Sequence, residues 1–115
     1  VQAAVRGAHR HLESVGTNVP VVVEVRDLDE VRAALEVGGV DRLLLDNFSP
    51  AQAAEAVAFI AGRIPTEASG GLTPDTVRAY GEAGVDFVSL GWLTHSPASL
   101  DISLKSAAAL AALQQ

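Results

Sequence analysis

From Gln2 to Ser14 the small and apolar residues Ala4, Val5, Ala8 and Leu12 recur at helical spacing, with Arg6, Arg10 and Glu13 between them. That spacing predicts an amphipathic helix ending near Gly16. The period then changes. Val19-Pro-Val-Val-Val-Glu-Val25 is a β-branched run without a polar position until Glu24, the pattern of a strand buried on both faces of a parallel sheet. Asp27 or Asp29 can cap a following helix that carries Val31, Ala34 and Leu35 and stops at Gly38-Gly39. A second strand, Asp41 to Asp46, comes next. Ser49-Pro50 starts another helix, the serine oxygen capping free N–H groups and the proline taking the first helical position. Ala54, Val57, Ala58 and Ile60 are its predicted buried face, and Gly62 its end. Ile64 to Glu67 reads as a short third strand and Ala68-Ser69-Gly70-Gly71 as a loop. Thr73-Pro74 repeats the cap-and-proline device before a helix to Gly84, and Phe87 to Leu90 is the fourth strand. Beyond Gly91 lie the stretch from Trp92 to Leu104 and an alanine-rich helix from about Ser106 to Leu113.

An internal repeat decides the architecture. Val31-Arg-Ala-Ala-Leu-Glu-Val-Gly-Gly-Val-Asp-Arg-Leu-Leu-Leu45 aligns with Val77-Arg-Ala-Tyr-Gly-Glu-Ala-Gly-Val-Asp-Phe-Val-Ser-Leu90 at an offset of 46 residues once one glycine is skipped. Each copy is helix, glycine turn, strand. Glu24, Asp46, Glu67 and Gly91, taken as the residues closing successive strands, are 22, 21 and 24 residues apart, each the length of one βα unit. Four such units predict an α/β fold with a parallel sheet and helices outside it. A doubly wound sheet and a barrel both accept this pattern. The acidic strand tips favour the barrel, whose enzymes carry catalytic groups at the C-terminal ends of several strands. A full barrel takes eight units and about 250 residues, so the expected fold is a partial, half TIM-like barrel of about four parallel βα units. Residues 1–115 are read as a single segment, and a first residue other than Met points to a longer parent chain.

Composition narrows the partners. The 115 residues are 49% hydrophobic, enough for a buried core, and eight Lys+Arg against fourteen Asp+Glu give a net charge of −6. Such a chain has no field to gather a nucleic-acid backbone or an anionic membrane. Apolar runs such as Val19 to Val23 fall far short of the roughly 18 residues that span a bilayer, and Arg6, His9 and Arg10 interrupt any signal-peptide pattern. With no cysteine, disulfides, thiolate metal sites and cysteine nucleophiles are excluded together, in keeping with a reducing cytoplasm.

Two acids, Glu24 and Asp46, close neighbouring strands and are expected to point into one mouth. There they suit three jobs: oxygen ligands for a divalent cation, acceptors for sugar hydroxyls, or stabilisers of a cation formed in a transition state. A single acid of this kind equally well caps the following loop; two in succession favour a site. Glu67 precedes a tight glycine loop and can instead face inward to organise it. Ser69-Gly70-Gly71 ahead of a helix start suits a phosphate, because glycines let backbone N–H groups approach an anion and the helix end adds partial positive charge. Gly91 at the tip of the next strand strengthens this, since barrels bind phosphate between adjacent late loops. His95, four residues on, can donate to a phosphate oxygen. His9 and His11, two apart, cannot chelate one metal and read as solvent-facing. Trp92 reads as packing at the rim and Tyr80 as an outer-helix residue.

Taken together, Val23-Glu-Val25, Leu44-Leu-Asp-Asn47, Glu67-Ala-Ser-Gly-Gly71, Gly84-Val-Asp86, Leu93-Thr-His-Ser96 and Leu100-Asp-Ile-Ser103 resemble the C-terminal half of the quinolinate phosphoribosyltransferases, over about Val21 to Leu104. The resemblance implies an incomplete α/β barrel joined to an N-terminal sandwich domain, dimers with shared sites, and a magnesium-dependent reaction. In it, quinolinate and phosphoribosyl pyrophosphate give nicotinate mononucleotide, CO2 and pyrophosphate, a step of NAD biosynthesis. It places Glu24 and Asp46 beside the ribose and its Mg2+, and Ser69, Gly70, Gly71, Gly91 and His95 at the 5′-phosphate. The family's Arg, Lys and His cluster for the two quinolinate carboxylates has no counterpart here, and the only lysine, Lys105, matches no substrate position. A dianionic substrate needs charge-assisted partners, so the isolated chain is expected to be inactive and to act as a homo-oligomer or beside the missing half-barrel. A molybdenum-transport-associated relative of the same fold, or a non-catalytic half-barrel folding module, are the alternative readings.

Overall fold

The structure, a computed structural model, describes residues 1–104 and residue 106. Helix α1 (Gln2–Val15) leads into a four-stranded parallel sheet of β1 (Val22–Val25), β2 (Arg42–Asp46), β3 (Thr66–Ser69) and β4 (Phe87–Val88), ordered β1-β2-β3-β4. Helices α2 (Leu28–Val37), α3 (Pro50–Ile60) and α4 (Val77–Glu82) join successive strands, and a short α5 (Trp92–His95) follows β4. Strand order that follows chain order, with one helix per crossover, is the topology of a barrel segment and not of a doubly wound sheet, whose order reverses at a switch point. Residues 97–104 form neither helix nor strand. The alanine-rich helix expected from Ser106 lies outside the described residues save for Ser106 itself. Among the described residues no helix is long and apolar enough to cross a membrane.

Local chemistry explains the punctuation. Asp27, of the two candidate caps, accepts from the Glu30 N–H at 2.8 Å. Ser49 and Gln52 form a reciprocal capping box behind Pro50. Gly16 closes α1 in the left-handed conformation (φ 65°).

The sheet has two unlike faces because side chains alternate along a strand. Val25, Leu43, Leu45, Thr66 and Ala68 are buried against the helices. Val25, Leu43, Leu45 and Ala68 make one core with Val31, Ala34, Ala53, Ala56 and Ile60. The opposite face carries Val22, Glu24, Arg42, Leu44, Asp46, Glu67, Ser69 and Phe87, none fully buried.

Several expectations are corrected. Strand β1 is not buried on both faces: Val22 is 51% exposed and Glu24 is exposed, because β1 is an edge strand with one face open. In α3 the buried positions are Ala53, Ala56 and Ile60, while Ala54 and Ala58 are exposed. Alanine contrasts so weakly with its neighbours that the sequence pattern fixes the helical phase only to within a residue. Strand β3 runs Thr66–Ser69 instead of Ile64 to Glu67. Its register is set by partners, Leu43 donating to the Pro65 carbonyl at one end and Asn47 to the Ser69 carbonyl at the other. Thr73 does not cap α4 with its hydroxyl; the Thr73 N–H donates to Thr76 Oγ1 at 2.9 Å and a turn precedes the helix at Val77. His9 is half-buried, its Nε2 donating to the Gly39 carbonyl at 2.7 Å. Tyr80 belongs to an outer helix but faces inward, 8% exposed, its hydroxyl donating to the Phe48 carbonyl at 2.9 Å. Trp92 is half-buried at the start of α5.

Candidate functional site at the C-terminal edge of the sheet

Parallel pairing puts every strand's C-terminal end on one edge. Val25 pairs with Leu45, Leu45 with Ala68, and Ala68 with Val88, while Asp46 lies in register with Ser69. Glu24, in the row of Leu44 and Glu67, faces the same open side two residues below Asp46 along the strands. The two acids, the Ser69 to Gly71 loop and Gly91 therefore share one end of the fold.

The closest join in this edge is between Asp46 and the glycine loop. Asn47 adopts a left-handed backbone (φ 57°), its N–H donates to the Ser69 carbonyl at 2.9 Å, and its side-chain amide donates to Asp46 Oδ2 at 2.9 Å. Gly70 (φ 94°) packs so tightly on Asn47 that a Cβ would lie 2.6 Å from Asn47 Cγ and 2.9 Å from its backbone N. Only glycine fits there. Gly71 (φ 63°) instead faces open space. Among the described residues no protein acceptor takes the N–H groups of Gly70, Gly71 or Leu72. Unused amides beside an open space can receive an anion's oxygens. The intervening turn at Thr73 to Thr76 moves the start of α4 away from the loop, so the expected helix-end contribution gives way to these loop amides.

Gly91 has an ordinary φ of −60°. A Cβ there would lie 3.2 Å from His95 Nε2, so the imidazole packs closely on this glycine. The Gly91 carbonyl accepts from the N–H groups of Thr94 and His95, and His95 Nδ1 lies 2.7 Å from Ser96 Oγ. His95 is exposed. Glu24 makes no side-chain hydrogen bond among the described residues, and beyond it Arg26 is taken by Glu30 at 2.9 Å. That hydrogen bond and the neighbouring charge hold the Glu30 carboxyl below its usual range.

Three residues of this face were not singled out by sequence. Arg42 pairs with Glu67 at 2.9 Å, Ser89 donates to the other Glu67 oxygen, and the Arg42 guanidinium lies 3.9 Å from the centre of the Phe87 ring. Glu67 thus faces the open side and binds Arg42 and Ser89 instead of organising the glycine loop, and it is two residues short of the end of β3. The hydrogen bonds from Ser89 and Arg42 hold its carboxyl below the ordinary range. The period-2 parity of β2 and β3 puts Arg42 and Glu67 on one face and was the available signal. Asn47 stood beside Asp46 in the sequence, but its left-handed backbone had none.

The donor set also bears on a metal. Among the described residues no group of three or more His, Cys, Asp or Glu could hold an ion. Two carboxylates at an open edge fit a magnesium that takes most of its oxygens from a phosphorylated ligand and water.

Residues 1–105 match the family model for the quinolinate phosphoribosyl transferase C-terminal domain. The chain is similar to a mitochondrial protein of Nicotiana glauca named quinolinate phosphoribosyltransferase 2, decarboxylating, at 39% identity over 91% of this chain and 34% of that protein. A probable carboxylating nicotinate-nucleotide pyrophosphorylase of Bacillus subtilis is 37% identical over 80% of this chain and 32% of its own length. The solved nicotinate-nucleotide pyrophosphorylase of Francisella tularensis superposes with a TM-score of 0.77 at 35% identity, covering 90% of this chain and 36% of that one. The chain spans about a third of the length of the curated relatives it matches.

Proposed function

The chain belongs to the quinolinate phosphoribosyl transferase family, as its C-terminal domain, and from that premise we propose that it carries the ribose- and phosphate-facing half of such an enzyme's site. The reaction is the decarboxylating synthesis of nicotinate mononucleotide, with release of CO2 and pyrophosphate, from quinolinate and phosphoribosyl pyrophosphate in NAD biosynthesis. The observation that carries the reading is the in-register pair Asp46 and Ser69, with Asn47 locking the acid to Gly70. One group faces a sugar while the adjacent loop offers amides to its phosphate.

In this assignment the N–H groups of Gly70 and Gly71, with Ser69, Gly91 and His95, hold the 5′-phosphate, and Glu24 and Asp46 face the ribose. As the pyridine nitrogen bonds to the anomeric carbon and pyrophosphate departs, positive charge grows on the sugar ring. Fixed carboxylates beside it favour that charge more in the transition state than in the ground state. A bound magnesium, held by Glu24 and Asp46, would neutralise charge on the leaving pyrophosphate. No arginine or lysine among the described residues stands at this edge unpaired for the quinolinate carboxylates, since Arg26 and Arg42 are engaged by Glu30 and Glu67. The outer edges of β1 and β4 bear no strand among the described residues, which supports completion by a second copy or by the remaining barrel strands. The absence of cysteine suits the cytoplasm as its place of work, and nucleic acid and membranes are not proposed partners.

Calorimetric titration of the 115-residue chain with phosphoribosyl pyrophosphate and magnesium tests the assignment. Binding without turnover is expected, weakened at least tenfold by Asp46→Asn, the size of one charge-assisted contact. No heat at millimolar ligand would overturn it.

A further inference from the structure

Strand β4 is short: two residue pairs, Glu67 with Phe87 and Ala68 with Val88, join it to β3, with Asp86 bonded to Thr66 before it and the Ser89 N–H donating to the Ala68 carbonyl after it. Yet Gly91 and His95, which follow it, must hold a set distance from the Ser69 to Gly71 loop that follows β3. Backbone pairing this short frays easily. Side chains on the open face supply a second join. The Ser89 hydroxyl donates to Glu67 Oε1, Arg42 of β2 binds Glu67 Oε2 at 2.9 Å, and the same guanidinium lies over the Phe87 ring at 3.9 Å. Glu67 is therefore gripped from both neighbouring strands, one turn of the pleat below the glycine loop.

We propose that Glu67 is a positioning residue that, through Ser89 and Arg42, ties β4 to β2 and β3 and so fixes the spacing between the Ser69 to Gly71 loop and the Gly91 loop for a sugar phosphate. The proposal rests on the phosphate assignment above and adds what sets the width of that site. Glu67 makes no contact with the ligand itself. Its two oxygens are both taken by protein donors, and it lies two residues inside the strand. Ser89 and Arg42 together favour the carboxylate form of Glu67 that accepts from both sides, and the Phe87 ring holds the guanidinium beside β4. The alternative, that the cluster merely stabilises the sheet, predicts a loss of stability with no particular effect on affinity.

The test separates these outcomes with ribose 5-phosphate as the probe, titrated calorimetrically into the full chain and its variants. Ser89→Ala removes the hydroxyl bond to Glu67 while leaving the Arg42 pair and the backbone bonds of β4, and is expected to weaken binding about tenfold, the loss of one hydrogen bond to a charged group. Ser89→Thr keeps the hydroxyl and is expected to restore affinity. Val88→Ala loosens the same strand through packing alone and is expected to lower the melting temperature with affinity unchanged. Glu67→Gln, in which an amide replaces the carboxylate facing Arg42, is expected to weaken binding as Ser89→Ala does. Unaltered affinity in Ser89→Ala, or an equal loss in Val88→Ala, overturns the positioning role while leaving the phosphate assignment standing. Failure of the unmodified chain to bind ribose 5-phosphate removes the assignment and the inference with it.

Discussion

The two copies of the helix, glycine turn and strand repeat start from nearly the same residues and reach different ends. In the first copy, Val31, Ala34, Leu43 and Leu45 are buried and β2 is five residues long with a neighbour on each side. In the second, β4 has two residues, and Phe87 and Val88 are 45% and 37% exposed. The repeat specifies the type of each element. What surrounds the strand decides how far it extends and how much it buries, since a central strand is paired along both edges and a terminal one along one.

The sharpest way to break this comparison is a matched pair of truncations. Leu45→Ala, at a position with 0% exposure, is expected to cost about 3 kcal/mol in urea unfolding, whereas Val88→Ala is expected to cost under about 1 kcal/mol. Equal losses would mean that β4 is packed as fully as β2. A smaller contrast concerns the two serine- or threonine-proline helix starts. Ser49→Ala removes a reciprocal capping box and is expected to lower stability by about 1 kcal/mol, and Thr73→Ala, which caps nothing with its hydroxyl, by less than about 0.5 kcal/mol. The smallest expected effect is in pH. Glu67 sits below its ordinary value near 4.5 because Ser89 and Arg42 bind its charged form. Its contribution is thus complete above that value and is lost as pH falls through the lower folded value. Acid unfolding of Glu67→Gln should converge on that of the unmodified chain only once the pH has fallen through that lowered value; a constant gap at every pH would show that this carboxylate is not what joins β4 to its neighbours.

The glycine loop and the acidic pair were legible as candidates because their chemistry is local. Adjacent glycines and strand-end acids announce themselves one residue at a time, and parallel topology sends them to one edge. The Arg42, Glu67 and Ser89 cluster was not, because its members are 25 and 22 residues apart and meet only after three strands are in register. Gly39 shows the same boundary. The second copy of the repeat lacks its counterpart, and no pattern explained the extra glycine. In the fold it turns its carbonyl to His9, and a Cβ would lie 3.1 Å from the imidazole Cε1.

Sequence alone indicated α1 to α4, four parallel strands between and after them, and candidate residues for an anion or a sugar, because periodicity, capping and glycine chemistry act within a few positions. The tertiary structure decided the rest: the phase of α3, the end of β3, the inward turn of Tyr80, and the grip on Glu67. Each of these depends on a partner distant in sequence, and the free energy that selects it exists only once the two surfaces are in contact.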